Sequence, residues 1–244
     1  MLEEEFDKYA KKYDLTDSKL KSRYNHSYRV MNLCIKYATE LGWSKEDIEL
    51  AKIIGLLHDF GRFEQWKVYH SFVDKNTVDH ADYSVEQLFD KNRIIKFTNR
   101  KDDYELIKFA IENHNKLEIE KCDNERFIKF AKLIRDADKV DIMYLLGYGS
   151  EIKEKGSNET ITDKVMECVY KHESVPVIIT NNINDRIIVQ FSFVFDLNYD
   201  IVLSDFKYNF TGFFESLGNN EIFKDVYEEI IKYIDERMNK NVRN

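Results

Sequence analysis

Imidazoles and carboxylates recur along the first part of the chain at positions where local structure can aim them. His26 lies inside an apolar-faced helical stretch, His58-Asp59 closes the most apolar one, His80 opens another and His114 closes one. Asp136 and Asp138 stand in a long amphipathic stretch beside Lys139. A carboxylate taken out of water is costly unless it is paired or bound to a cation. Asp59 directly follows IIGLLH, with no basic residue before Arg62, so a cation is expected beside it. Adjacent helical residues point about 100° apart. His58 and Asp59 can therefore serve one ion at a helix end while the carboxylate reaches a second. Imidazole with carboxylate suits Mn, Fe, Co, Ni or Zn, and a set without thiolates argues against a structural zinc site.

Helices must carry these groups. Leu2, Phe6, Tyr9 and Tyr13 recur at helical spacing, which predicts a first helix over roughly residues 1–13. Asp17 or Ser18 caps the next, which bears Val30, Cys34, Tyr37 and Leu41 on its apolar side and stops at Gly42. Ser44-Lys45-Glu46-Asp47 reads as a capping signal ahead of IELAKIIGLLHD, a helix apolar on most sides and so central. Residues 60–78 lack a clear period and read as a loop, with room for a short helix. Asp79 caps HADYSVEQLF, Asp102 or Asp103 caps YELIKFAIENHN, and Asp123 or Asn124 caps ERFIKFAKLIRDADKVDIMYLL, which ends at Gly147. The polar stretch 149–159 reads as mobile. TITDKVMECVYKH is helical, and so is EIFKDVYEEIIKYIDERM at the end. The run IIVQFSFVFDLNYDIVL has the β-branched and aromatic content of a strand but the length of a buried helix. It is assigned to helix, since a lone strand has no partner. The expectation is an all-α chain and a single domain over residues 1–244.

Composition narrows the functional classes. One proline and eight glycines in 244 residues favour long helices with short connections. Aromatics at 14% mark a folded chain rather than a disordered one. The net charge of -8 argues against a nucleic-acid groove, which draws its affinity from neutralising phosphates. It leaves room for a small phosphorylated substrate held by a metal and local cations. Cys34, Cys122 and Cys168 form no CxxC and imply no disulfide framework. The acidic start has no apolar signal region, and no apolar run is long enough to span a membrane. The expected compartment is the cytoplasm.

Each histidine by itself is an ordinary core or surface residue more often than a ligand; the ordered set on successive helices carries the reading. The segments NHSYRV, LLHDFGRFEQ, DHADYSVEQL, IENHNK and RDADKVD follow the order His…His-Asp…Asp, the last Asp in an Ala-Asp-Lys setting. That order resembles the HD-domain superfamily of metal-dependent phosphohydrolases over about residues 20–148, with 149–244 as a helical extension. The resemblance implies a helical bundle in which His26, His58, Asp59 and Asp138 hold a first ion. His80 and His114 are similar to the extra pair of the two-metal branches, where Asp59 would bridge the ions. Asp138 is preferred to Asp136 because it takes the Ala-Asp-Lys place. Two six-coordinate ions offer about twelve positions and these residues fill about seven, leaving about five for water and substrate oxygens.

The implied activity is hydrolysis of a small phosphate ester, nucleotides included, by metal-activated water. Asp59, Lys139 and Arg62 are its catalytic candidates, the two cations as phosphate contacts. Arg62 is weighed equally as a structural partner of an acidic neighbour. Lys67 and His70 read as solvated, and His172 as a surface residue at a helix end. Asp136 reads as a solvated or structural charge. Asp141, Glu64 and Glu112 receive no role. Phe191, Phe193 and Phe195 read as core rather than as a base-stacking platform, since no basic residues interleave with them. Two rivals keep the same ligands: a di-iron oxygenase of the same superfamily, and a non-catalytic metal-binding regulator.

Overall fold

The computed structural model describes residues 2–149 and 156–241. Its regular elements are helical throughout, with no strand among the described residues. The all-α expectation holds. No described helix is long and apolar enough to cross a membrane. The chain groups into two compact units, Met1–Ala137 and Asp138–Asn244, with the division inside a helix. The expected polar stretch 149–159 falls partly outside the described residues.

The first unit begins with α1 (Leu2–Ala10) and α2 (Ser18–Glu40). The Asp17 carboxylate accepts from Lys19 N and starts α2, which Gly42 stops in the left-handed region at φ 70°. Ser44 accepts from Asp47 N and opens α3 (Lys45–Leu57). Helices α2 and α3 pack so closely that a Cβ on Gly55 would lie 2.9 Å from Met31 Cα. The tight crossing brings His26 beside the end of α3. Helix α1 lies against the chain just after that end. The Tyr9 ring stacks on Phe60 at 3.8 Å between centroids, and its hydroxyl donates to Phe60 O at 3.2 Å.

The stretch 60–78, read as a loop with room for a short helix, opens with α4 (Arg62–Tyr69), which buries Arg62, Phe63 and Gln65. A three-residue turn follows at Asp74–Asn76. Asp79 accepts from Ala81 N and Asp82 N to start α5 (His80–Val85), which runs on into a wider turn at Glu86–Asp90. Gly61 lets α5 approach: its N–H donates to Ser84 Oγ at 2.9 Å, and a Cβ there would lie 2.7 Å from Ser84 N. Helix α6 (Tyr104–Glu112) ends two residues before His114 and has no side-chain cap. Asp103, read as its cap, is instead drawn into ion pairs with Arg100 at 2.6 Å and Arg126 at 2.8 Å. Helix α7 (Glu125–Tyr148) is capped by Asn124 Oδ1, which accepts from Arg126 N at 3.0 Å.

The second unit holds the rest of α7 with α8 (Asp163–Tyr170), α9 (Ile183–Phe191), α10 (Leu203–Ser216) and α11 (Lys224–Asn241). The run at 187–203 is helical but not one helix. After α9 it tightens over Ser192–Asp196, becomes extended at Leu197 and resumes at α10. Asn198 Nδ2 donates to Asp196 O at 3.0 Å across the break, the local side-chain bond by which Asn competes with helix. Phe191 is core, with Phe210 edge-on at 4.8 Å, whereas Phe193 and Phe195 are half-buried.

Candidate metal centre

The first unit brings His26, His58 and Asp59 into one group, and Asp59, His80 and His114 into another, all five side chains buried. Asp59 is the residue the two groups share. Its Oδ2 lies 3.6 Å from His26 Nε2 and 3.9 Å from His58 Nε2. Its Oδ1 lies 3.7 Å from His80 Nε2 and 3.8 Å from His114 Nε2. Within each group the two imidazole Nε2 atoms stand 3.1 Å apart.

Local backbone fixes which ring nitrogens face inward. A helix leaves its last carbonyls without intrahelical partners. His58 and His114 each follow such an end and turn Nδ1 back onto it, to Gly55 O at 2.8 Å and Ile111 O at 2.6 Å. A carbonyl only accepts, so both Nδ1 atoms carry the proton and Nε2 of the neutral ring presents its lone pair. His80 Nδ1 faces the Asp74 carboxylate, with the same consequence. The close approach of His80 and His114 therefore sets two lone pairs against each other unless one ring is charged.

These residues fit a divalent transition metal. Two ligands about 2.1 Å from one ion lie roughly 3.0–3.4 Å apart, from an octahedral to a tetrahedral angle. Both 3.1 Å imidazole pairs fall in that range, with the carboxylate spacings a few tenths wider. Asp59 Oδ1 is buried without a hydrogen-bond partner. Burial would raise its carboxyl; His58, Arg62, His80 and His26 lower it, the imidazoles only when they are protonated, and the balance holds Asp59 below the ordinary carboxylate range. An ionised, unpartnered oxygen in the interior is a standing penalty that a cation removes.

Cationic side chains border the carboxylate. Arg62 Nε lies 3.6 Å from Asp59 Oδ1, and Arg23 Nη1 lies 3.6 Å from Oδ2. The Nε of each is buried without a partner, and both guanidinium groups lie over the Phe72 ring. Arg62 also donates through Nη1 to Asp74, Gln65 Oε1 and Phe72 O. The structural pairing weighed for it is thus carried by Nη1, while Nε faces Asp59.

Sequence reasoning missed three supporting residues. Arg23 stands one turn before His26 on α2, a spacing that puts both on one face. Asp74 lies in the connection between α4 and α5 and has no sequence signal. Arg135, buried on α7, donates Nη1 to Asn113 O and Lys116 O at 2.7 and 2.6 Å and Nη2 to Leu117 O at 3.1 Å. It closes the turn that carries His114.

The other candidates are not among the five grouped residues. Asp138 is half-buried on α7 as the first residue of the second unit, and is in neither group among the described residues. Lys139 Nζ pairs with Asp196 at 2.6 Å. Asp136 and Asp141 are buried, which removes the solvated reading of the first. Lys67 and His70 are exposed. His172 is half-buried against Phe195 and Tyr233 and lies 2.9 Å from Glu229 Oε1, rather than free at the surface. Glu64 accepts from Tyr13 Oη at 2.7 Å.

Comparison with known families finds a match between residues 23–143 and the family described as the HD domain. The matched span contains all five residues of the two groups. No curated protein and no solved structure matches the chain.

Proposed function

We propose, on the premise that residues 23–143 make this chain a member of the HD-domain family, that it is a metal-dependent phosphohydrolase acting on a small phosphate ester, with nucleotides among its candidate substrates. One observation carries the reading: a buried carboxylate turns each oxygen to its own pair of imidazoles, and two arginine Nε–H donors stand unspent around it.

His26, His58 and Asp59 would hold one ion, and Asp59, His80 and His114 the second. When bound, such ions supply Lewis acidity and an activated water at neutral pH. The residues of the chain do the rest. The backbone contacts of His58 and His114 keep their Nδ1 protonated and their Nε2 free to coordinate. Arg62 and Arg23 offer hydrogen-bond donors for phosphate oxygens and offset the charge that grows on them during in-line displacement. The Phe72 ring beneath both guanidinium groups limits their swing and keeps water from that side. Asp138 as a further ligand of the first ion, and Lys139 as a phosphate contact, rest on the motif resemblance. For Lys139 that role requires Nζ to exchange Asp196 for substrate.

The test is phosphate release by purified protein loaded separately with Mn, Co, Ni, Zn or Fe, over a panel of nucleotides and sugar phosphates. Release that depends on metal and disappears in Asp59→Ala is the expected result. No release from any member of the panel would falsify the hydrolase. Iron in the protein as isolated, with oxygen uptake on addition of substrate, would move the reading to the oxygenase.

A further inference from the structure

His58, His80 and His114 are not all held by the same means. His58 and His114 turn Nδ1 to main-chain carbonyls, which any sequence would supply. His80 turns Nδ1 to a side chain, the Asp74 carboxylate. The other oxygen of Asp74 accepts from Arg62 Nη1 at 2.8 Å and from Gln65 Nε2 at 3.1 Å. Gln65, fully buried on α4, also donates to Thr77 Oγ1 at 2.8 Å and Val78 O at 3.1 Å. A single half-buried carboxylate thus ties the connection 71–79 to α4, to Arg62 and to one imidazole of the second group.

We propose that Asp74 is a positioning residue that sets the affinity of the second ion, so that segment 71–79 decides whether the centre holds one ion or two. This rests on the two-ion reading above and assigns a control to one half of it. The physical reason is the donor count. His80 and Arg62 place an N–H on different oxygens of Asp74. An amide at that position has one acceptor oxygen and turns an N–H toward whichever donor it does not accept. His80 then loses its fixed tautomer and ring orientation, or Arg62 loses its anchor. Outer carboxylates of this kind are worth about 10–100-fold in metal affinity. The His26–His58 pair makes no use of Asp74, so its ion is unaffected.

The experiment titrates Mn2+ into metal-stripped full-length protein. Bound metal is counted by elemental analysis after dialysis, and the spin-coupled pair is followed by electron paramagnetic resonance. The wild type is expected to bind two ions and to show the coupled signal. Asp74→Asn should bind the first ion as the wild type does and the second about 10–100-fold more weakly, with isolated Mn2+ replacing the coupled signal at matched concentration. Unchanged first-ion affinity doubles as the check on folding. If Asp74→Asn does not fold, Asp74→Glu, which keeps the charge but displaces the oxygens, must weaken the second ion selectively. A variant that binds both ions within about threefold of wild type, or that loses both together, overturns the role of Asp74 and leaves the two-ion reading standing. A wild type that takes up fewer than two ions overturns the two-ion reading itself.

Discussion

The two halves of the candidate centre are built differently. His26 and His58 come from α2 and α3, long helices that cross at Gly55 with no room for a Cβ. Core packing sets the backbones that carry them, and Gly55 O fixes the His58 ring. His80 and His114 stand at the start of one helix and just past the end of another. Their positions follow from polar contacts, with Asp74 behind one ring and Arg135 closing the turn under the other. Packing is non-directional and tolerant of temperature, whereas a polar contact is lost with a single donor or acceptor. The first half should therefore be robust and the second adjustable.

The largest expected effect comes from the residue common to both halves. Asp59→Ala should lose both ions and reduce phosphate release by about 10³-fold or more; two ions retained by elemental analysis would break the shared-ligand picture. Splitting the halves comes next. His114→Ala should lose one ion with little change in melting temperature measured in chelator. His26→Ala should lose the other ion and also melt earlier, because it removes a buried ring packed edge-on against His58 from the long helix α2. Equal melting shifts for the two would erase the distinction between packed and polar halves.

Arg23→Met should raise KM for the phosphate ester about 10–100-fold, the worth of one charge-assisted hydrogen bond, at unchanged metal content. A fall in metal content instead would make Arg23 a partner of Asp59 only. The glycines give a finer contrast. Gly55→Ala drives a Cβ into Met31 and Cys34, and Gly61→Ala drives one into the Tyr83–Ser84 backbone. Each should cost about 1–3 kcal/mol in stability. The metal affected should differ, first ion for Gly55 and second for Gly61, as read by the same titration.

The smallest effect concerns acid. Burial would raise the Asp47 carboxyl, but Lys129 and Arg126 hold it below its usual value. A depressed folded pKa contributes stability above the unfolded value near 3.9 and loses it as pH falls through the folded one. Metal-free wild type should therefore melt above Asp47→Asn at pH 6, with the gap closing below about pH 4. A gap independent of pH would mean that Asp47 acts through capping geometry rather than charge.

Much of the helical frame was legible because caps and apolar spacing are local. Asp17, Ser44, Asp79 and Asn124 each accept from the first turn of the helix they precede. Asp103 was not, because a distant Arg126 competes for its carboxylate. Helix α4 was legible only as room for a short helix, because its buried face includes Arg62 and Gln65, which a hydrophobic period does not register. The break between α9 and α10 turns on an extended residue and an asparagine side-chain bond inside an apolar run. In the centre, residue type and order singled out the five grouped residues. Which carbonyl or carboxylate stands behind each ring is a matter of tertiary placement, so Asp74 and Arg135 left no trace in the spacing. Arg23 did leave one, a cation one turn ahead of a histidine on the same face.

The Tyr9–Phe60 stack has a practical consequence. The family match begins at residue 23, yet the hydroxyl that grips the main chain immediately after Asp59 belongs to α1, as do two rings packed edge-on against Phe63. Trimming an expression clone to the matched span would strip the packing from the segment that directly follows Asp59. The opening helix should travel with the domain in any transplant, fusion or minimal version of it.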